Sequence, residues 1–341
     1  MTRLLQAMAG ARHGGAEAFF TRLAIGLARA GQDQKLIIRR DADRATILRQ
    51  AGLDVTELRF GARFDFLTRG GFARVIGSYR PHVVLTWMSR ATMLCPRGDF
   101  VHVARLGGYY DLKYYRRCDH LIGNTQDIVD YLVREGWPRD RAHYLPNFVK
   151  IDPAAPLDRE SLGASANAPL ALALGRLHPN KGFDTLLAAL ALVPNLHLWL
   201  AGEGDLRPVL ERQAQDLGIA SRVRFLGWRE DVSALMATAD MIVCPSRHEP
   251  LGNVVIEAWA AKAPIVAAAS AGPAALIETG ETGILVPIDD AAALASALRE
   301  LAGDWGLRRS LGIKGFMAYQ ARFEESRVVG AYRQFIEGIV R

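Results

Sequence analysis

The sequence has few cysteines and no long apolar run, and each shortage excludes a class of protein. Cys95, Cys118 and Cys244 lie far apart and form no C-x-x-C pair, so their spacing supports neither a disulfide framework nor a zinc site and suits a reducing cytosol. The longest apolar runs, such as "APIVAAA" at residues 263–269, are much shorter than the roughly 20 residues that span a bilayer. The N-terminal residues do not match a secretory signal. These features predict a cytoplasmic protein.

Acidic residues are scarce in the first half of the chain. Residues 1–150 contain 24 Lys and Arg against 14 Asp and Glu, a balance of +10, whereas residues 151–341 contain 18 against 22, a balance of −4. A basic half predicts an anionic partner. The sequence has neither an RNA-binding aromatic signature nor zinc-finger spacing, so we expect no nucleic acid. A membrane surface and a phosphorylated substrate remain open.

Apolar runs with β-strand character alternate with helical stretches in both halves. A proline-rich segment at residues 146–169 interrupts the alternation and is the best candidate for a linker. This pattern predicts an α/β protein with two doubly wound, Rossmann-like parallel sheets, whose ligands bind beyond the carboxyl ends of the strands, in the cleft between the domains. The predicted strands are residues 35–40, 82–88, 100–106, 120–125, 170–175, 196–202, 222–227, 241–246 and 264–269; the predicted helices include 16–31, 183–193, 231–240 and an amphipathic tail at 325–340.

The segment "PSRHEPLGNVVIEAWA" at residues 245–260 predicts a strand end, a tight turn and a helix. The first N–H groups of that helix belong to about residues 251–254, and such groups bind a diphosphate together with the positive helix pole. Glu249 precedes the turn and Glu257 lies within the helix. One carboxylate can accept hydrogen bonds from a sugar and the other from a ribose, although a pair of solvated glutamates is the alternative.

Two further segments follow predicted strands and can bind phosphate. In "GRLHPNKGFDTLL", Arg176 and Lys181 lie at the carboxyl edge of a sheet, where a guanidinium fork and a point charge can converge on one diphosphate. In "HGGAEAFF", Gly14 and Gly15 open the first helix and allow the backbone to approach a phosphate closely. Solvated cations and a structural glycine turn are the alternatives.

Together these segments resemble the retaining glycosyltransferases of family 4, which have the two-domain GT-B fold. The resemblance covers nearly the whole chain and is strongest at "GRLHPNKGFDTLL", "LAGEGDLRPVLE", "VRFLGW", "PSRHEPLGNVVIEAWA" with its Glu-x7-Glu spacing, and "ETGILVPIDD". It implies an acceptor-side domain at residues 1–148 plus 320–341, the latter a returning helix. It also implies a domain at residues 149–319 that binds a nucleotide-diphosphate sugar, which we expect to be a UDP-sugar.

The resemblance also implies residue roles. Glu249 would contact the donor sugar and Glu257 the ribose. Arg176 and Lys181 would hold the diphosphate in place of a metal ion, so no metal and no cofactor beyond the nucleotide-sugar co-substrate are expected. The backbone of Leu251, Gly252, Asn253, Val254, Gly14 and Gly15 would complete the phosphate cradle, and residues 225–229 would line the base.

Two positions depart from the family pattern. The family often has a histidine closing a strand near the donor sugar. The comparable strand here, "FVHVARLGGYY", ends in Arg105 and has His102 inside it, so Arg105 is the candidate for that position and His102 is either a second candidate or a core residue. The family often has a glutamate where this chain has Ala275 in "GPAALI", which leaves the identity of the donor open.

The sequence therefore predicts a metal-independent, retaining hexosyltransferase that moves a sugar to a hydroxyl of lipopolysaccharide or another cell-surface glycan, peripheral to the inner face of the cytoplasmic membrane. The aromatic and basic residues 105–117 are a candidate acceptor surface. The acidic pair in "DAD" at residues 41–43 lacks the context of a metal-binding D-x-D motif. A nucleotide-sugar epimerase, a phosphorylase of similar fold and a non-catalytic carbohydrate- or nucleotide-binding protein remain the alternatives.

Overall fold

The structure, a computed structural model, describes residues 1–12, 14–61 and 65–340. It divides the chain into two compact units: unit 1 comprises Met1–Phe148 and the chain from Glu325 onward, and unit 2 comprises Val149–Glu324. Each unit is a parallel sheet with helices on both faces.

The described part of unit 1 forms a parallel sheet in the order β3-β2-β1-β4-β5-β6-β7. Leu4 of the first strand pairs with Gln34 on one side and with Val83 on the other, so the winding of the sheet reverses beside this strand. The strands are β1 Leu4–Met8, β2 Gln34–Arg39, β3 Asp54–Leu58, β4 Val83–Trp87, β5 Val101–Leu106, β6 His120–Gly123 and β7 Ala142–Tyr144.

Five helices follow these strands in the described part of unit 1, and short polar side chains begin several of them. Asp65 accepts a hydrogen bond from the Thr68 backbone and Thr125 accepts one from the Ile128 backbone, which satisfies N–H groups that a helix start leaves free. The helices are α1 Gly15–Arg29, α2 Ala42–Gln50, α3 Phe66–Tyr79, α4 Met88–Leu94 and α5 Gln126–Arg134, and a 3₁₀ turn spans Leu112–Tyr114.

Unit 2 repeats the architecture in the order β10-β9-β8-β11-β12-β13. Leu198 and Leu200 pack into one buried cluster while Trp199 between them packs into another, because successive strand residues face opposite sides of a sheet that helices cover on both faces. The strands are β8 Leu170–Leu174, β9 His197–Ala201, β10 Val223–Gly227, β11 Met241–Cys244, β12 Ile265–Ala268 and β13 Ile284–Val286.

Seven helices of unit 2 connect or follow these strands. The aspartates Asp290 and Asp304 cap two of them by accepting hydrogen bonds from Ala293 and Leu307 backbone N–H groups. The helices are α6 Phe183–Ala191, α7 Arg207–Asp216, α8 Val232–Thr238, α9 Asn253–Ala260, α10 Ala271–Leu276, α11 Ala291–Gly303 and α12 Trp305–Arg322, with a 3₁₀ turn at Pro179–Lys181.

The last helix, α13 Glu325–Gly338, belongs to unit 1. Val329 and Tyr332 are buried on its inner face against the core of unit 1, and a Cβ on Gly26 of α1 would lie 2.8 Å from a Val329 methyl carbon. The chain re-enters unit 1 at Glu325 and not at residue 320 as predicted. Helix α12 continues to Arg322, and Phe323 still packs on Trp259 of unit 2.

Each run predicted as a strand is a strand, in most cases one or two residues shorter than predicted. The predicted runs do not include β1, a central strand that precedes the Gly14–Gly15 turn, nor β3, β7 and β13, which lie at the sheet edges. β7 and β13 have three residues each, and β3 is mostly half-exposed, so none of them carries the continuous apolar run by which a buried parallel strand is recognised.

Candidate active site

The predicted donor residues of unit 2 lie where the winding of its sheet reverses. β8 and β11 are neighbours, with Met241 paired to Ala171, and the segments after both strands leave from the same edge. Such a reversal point is where doubly wound sheets bind ligands. The pairing brings "GRLHPNKG" and "PSRHEPLGN" together, although about 70 residues separate them in the sequence.

Lys181 and Glu249 form an ion pair at this edge, with 2.5 Å between Lys181 Nζ and Glu249 Oε2. Their side chains are 24% and 13% exposed. Lys181 ends the 3₁₀ turn, and Gly182 follows with a φ of +63°. A Cβ on Gly182 would overlap the carbonyl oxygen of Pro245, so only glycine permits this approach of the two segments.

Arg247 also connects the segment after β11 to the segment after β8. The sequence analysis did not identify this residue. Its guanidinium contacts Asp184 at 2.6 Å and Asp289 at 2.7 Å, and it donates to the Pro179 carbonyl at 2.7 Å. The hydrogen bond from Arg247 holds the pKa of Asp184 below its ordinary value. Because a planar guanidinium suits several oxygen acceptors at once, Arg247 joins the segment that carries Glu249 to the turn and helix that follow β8.

The start of α9 presents free backbone donors beside this pair. Gly252 is the N-cap, with a φ of +72°, and its N–H is 3.4 Å from Glu249 Oε1. Within the described residues, the N–H groups of Leu251, Asn253 and Val254 have no acceptor. Every helix leaves its first N–H groups without intrahelical acceptors, and groups of this kind at a helix start can bind an anion.

The remaining predicted donor residues of unit 2 lie around this start. Arg176 lies two residues after the end of β8, is exposed, and makes no side-chain hydrogen bond or ion pair with any residue that the structure describes. Glu257 is half-buried on α9. The side-chain oxygen of Asn253 is buried without a hydrogen-bond partner in the described structure, which adds an unsatisfied polar atom to the N-terminal turn of the helix.

The predicted base-lining segment and Ala275 lie in unit 2 as well. Residues 225–229 run from β10 into the following turn, where Trp228 is exposed. Ala275 is exposed on α10. In the described part of the chain, no group of three or more His, Cys, Asp or Glu side chains is placed to hold a metal ion.

Gly14 and Gly15 lie at the start of α1 in unit 1, and His13 before them is outside the described residues. A Cβ on Gly14 would overlap a carboxylate oxygen of Glu17, and the other carboxylate oxygen accepts the Ala11 N–H at 2.7 Å. Glu17 is therefore a buried anion that organises the loop, favoured by the positive pole of the helix. The sequence reading missed it. A Cβ added at Gly15 would enter open space.

Arg105 is not at an open edge, which corrects the expectation that it faces the donor sugar. Its side chain is 4% exposed and lies 4.7 Å from the ring centroids of both Phe19 and Trp87. Its guanidinium donates to Tyr332 Oη at 3.0 Å and to Asn147 Oδ1. These contacts make Arg105 a packing residue that connects β5 to α13.

His102 is also a core residue, which decides between the two readings. It is 6% exposed, and its Nε2 lies 3.1 Å from Thr86 Oγ1. Burial lowers the pKa of His102 to about 4, so the ring is neutral near pH 7. In the described structure, both candidate residues of this strand are buried.

Two family models match the chain. The model described as Glycosyltransferase Family 4 matches residues 13–153, and the one described as Glycosyl transferases group 1 matches residues 168–304. The chain is 34% identical over 337 residues to the lipopolysaccharide core biosynthesis glycosyltransferase LpsE of Rhizobium meliloti, covering 95% of this chain and 96% of the relative. LpsD of the same organism, with the same description, is 33% identical over 322 residues, covering 94% of each chain.

A solved structure resembles the whole chain. HepE of Anabaena, in complex with UDP and glucose, has a TM-score of 0.83 and 21% identity, and the match covers 99% of this chain and 100% of that one. At this identity the likeness concerns the fold, and the predicted fold class, two doubly wound parallel-sheet units of the GT-B type, is confirmed. None of the helices in residues 1–12, 14–61 and 65–340 is long and apolar enough to cross a bilayer.

Proposed function

This chain belongs to glycosyltransferase family 4, and from that premise we propose that it moves a hexose from a nucleotide-diphosphate donor to a hydroxyl group of an acceptor glycan, with retention of anomeric configuration and without a metal ion. The observation that carries the proposal is the Lys181–Glu249 pair beside three free N–H groups at the start of α9. Lys181 and the amide donors come from neighbouring segments at one edge of the unit 2 sheet, and the proposal is that a diphosphate and its sugar bind there.

The chemistry assigned to these residues is electrostatic. As the bond between the anomeric carbon and the phosphate oxygen breaks, negative charge grows on the departing diphosphate, and Lys181, Arg176 and the amides of residues 251–254 stabilise it. The acceptor oxygen attacks from the same face of the sugar, and its proton passes to the departing phosphate oxygen. Glu249 orients the sugar and Glu257 the ribose. These cations and amides take the place that a divalent ion has in other glycosyltransferases.

The expected donor is a UDP-sugar and the expected acceptor is a lipopolysaccharide core. HepE, which shares the fold, binds UDP and glucose, and LpsE and LpsD are lipopolysaccharide core glycosyltransferases that align with nearly the whole chain. Unit 2 would bind the donor and unit 1 the acceptor.

We also propose that the protein works in the cytoplasm, bound reversibly to the inner membrane face. Residues 1–150 have a balance of +10, and Phe66 and Leu67 at the start of α3 are 73% and 70% exposed. Each cation near an anionic surface contributes about 1 kcal/mol of attraction, so a few clustered arginines suffice. Co-sedimentation with vesicles tests this, and binding that does not depend on anionic lipid would contradict it.

A donor panel followed by product analysis tests the enzymatic proposal. Thermal shift with UDP, GDP and their hexose conjugates identifies the base and sugar, and nuclear magnetic resonance of the product gives the anomeric configuration. We expect transfer to a core oligosaccharide at an undiminished rate in EDTA. An inverted product removes the retaining mechanism, and loss of rate in EDTA removes metal independence. A changed sugar without any acceptor indicates an epimerase, and no turnover indicates a binding protein.

A further inference from the structure

Unit 1 contains a second, strongly basic cavity outside the site described above. Its volume is about 700 Å³, and its lining includes five cationic side chains but, among the described residues, no carboxylate. The cations are Arg69, Arg90, Lys113, Arg116 and Arg117.

The cavity lies along one edge of the unit 1 sheet. Arg69 is in α3 after β3, Arg90 is in α4 after β4, and Arg116 follows the 3₁₀ turn after β5. All three segments therefore leave the sheet from the carboxyl ends of parallel strands, which is the edge where sheets of this kind bind ligands.

The positive charge of this cavity is largely uncompensated. In the described structure, Arg69 and Arg116 make no side-chain hydrogen bond or ion pair. Arg90 and Arg117 donate to the carbonyls of Phe60 and Met93, at 3.2 and 3.0 Å, and a carbonyl does not neutralise a guanidinium. Only Lys113 has a carboxylate, that of Asp111 at 2.6 Å.

A neighbouring basic pocket shows the contrast. Its lining includes Arg12 and Arg44 together with Asp41 and Asp43. Arg12 lies 3.1 Å from Asp43, and Arg44 lies 3.1 Å from Asp41. Two of the four guanidinium groups of that pocket are therefore paired within the protein. None of the four guanidinium groups of the cavity beside Arg69 forms an ion pair with a described residue, although the charge of Arg116 acts on the carboxylate of Asp111.

We propose that the cavity lined by Arg69, Arg90, Arg116 and Arg117 binds the phosphate groups of a phosphorylated saccharide, and that this saccharide is part of the acceptor. Guanidinium forks bind phosphate oxygens in pairs and with charge assistance. Tyr114, which is 37% exposed, and the half-buried Met93 add an apolar wall beside them. That the saccharide is part of the acceptor rests on the proposed function. That the cavity binds a phosphorylated saccharide does not.

Arg69→Gln combined with Arg116→Gln is the informative variant, because these side chains have no partner in the described structure and their loss removes charge without removing a contact. Arg74→Gln combined with Arg139→Gln is the matched control: both arginines are exposed, lie outside the lining of the cavity and have no described side-chain partner. The full-length variants are compared by calorimetric titration with deacylated lipopolysaccharide core oligosaccharide, phosphorylated or chemically dephosphorylated.

We expect the first double variant to bind the phosphorylated oligosaccharide at least about 10-fold more weakly than the wild type, since each hydrogen bond to a charged group contributes substantially. The control variant should bind like the wild type, and dephosphorylation should weaken binding to both of these proteins far more than binding to the first double variant. UDP affinity should be equal in all three proteins. Equal binding of the two oligosaccharides, or an unchanged double variant, overturns the proposal.

Two further outcomes separate this inference from its alternatives. If the first double variant loses binding only to phosphatidylglycerol vesicles and not to the soluble oligosaccharide, the cavity binds a lipid surface and the proposal is wrong. If the phosphorylated oligosaccharide binds as expected but the protein neither binds nor turns over a nucleotide sugar, the cavity assignment holds and the glycosyltransferase proposal fails.

Discussion

Lys181 Nζ lies 2.5 Å from Glu249 Oε2, although the two residues are 68 positions apart in the chain. One follows β8 and the other follows β11, the neighbouring strands beside which the winding of the unit 2 sheet reverses. Both side chains are largely shielded from water. Removing one of them therefore leaves the other as a poorly hydrated charge without its partner. The two residues should therefore behave as a unit in kinetic experiments.

Replacing Lys181 by alanine should lower kcat by about 100- to 1000-fold, the loss typical of removing one group that stabilises transition-state charge. The melting temperature should fall, because Glu249 is left without its charge partner, but the protein should still fold. Lys314→Ala is the matched control, because Lys314 also forms an ion pair with a glutamate, Glu281, at 2.6 Å, but lies on α12 outside the site. Near-normal turnover of a folded Lys181→Ala protein would remove the assigned role.

Arg247→Gln should lower kcat by about 10-fold with a smaller change in the KM for the donor, because a misplaced Glu249 impairs the reacting geometry more than binding. Arg247→Lys should restore part of the loss. Arg207 also bridges two carboxylates, those of Glu203 and Glu211, so Arg207→Gln controls for lost ion pairs. Equal kinetic effects of the two glutamine variants would show that Arg247 has no positioning role.

Gly252→Ala should weaken UDP binding, whereas Gly280→Ala should not. Both glycines have a positive φ, +72° and +83°, so each alanine costs about 1 kcal/mol of stability from backbone strain. At Gly252 the added Cβ would also lie 2.9 Å from Leu276 Cδ1, and we expect this contact to displace the amides at the start of α9. At Gly280 the added Cβ would enter open space. Calorimetric titration with UDP and thermal unfolding separate the two effects, and equal UDP affinity would argue against the amide cradle.

Arg105→Met should lower the free energy of unfolding by about 1–3 kcal/mol for each partner left unsatisfied, because Tyr332 Oη and Asn147 Oδ1 lose their buried donor. Chemical denaturation followed by fluorescence measures the loss. A stable Arg105→Met protein that has lost turnover would restore the catalytic role that the strand position suggested.

The free energy of unfolding should fall as the pH decreases from 6.5 to 4, with a contribution of about 3 kcal/mol from His102. Burial lowers the pKa of His102 from 6.5 to about 4 in the folded protein, so the unfolded chain takes up its proton first and acid favours unfolding. His102→Gln should reduce the slope of stability against pH. A slope equal to that of the wild type would contradict a buried neutral His102. His143, whose pKa burial also lowers to about 4, accounts for a remaining slope.

Local sequence predicted most of the strands because a strand of a doubly wound sheet is buried on both faces and carries a continuous apolar run. The same physics explains the misses at β3, β7 and β13, whose edge or near-edge positions and short length weaken that signal. Glycines and prolines located the turn before α9 because the backbone there needs a positive φ at Gly252.

The sequence could not predict partners that come from distant segments. The sequence analysis named neither Glu17 nor Arg247, because the contacts of Glu17 depend on how the loop before α1 folds and those of Arg247 on the adjacency of β8 and β11.

The sequence by itself determined two α/β units with parallel sheets, and it determined which turns carry glycine, cation and carboxylate, since periodicity and backbone preference act over a few residues. Only the tertiary structure decided which of those side chains meet. Strand order placed Lys181 against Glu249. The return of α13 to unit 1 brought Tyr332 to Arg105 from 227 positions away. Arg105 is therefore buried, although its position at the end of β5 predicted an exposed side chain. The physical reason is that burial and charge pairing depend on what packs against a residue, and that neighbour is set by the fold as a whole.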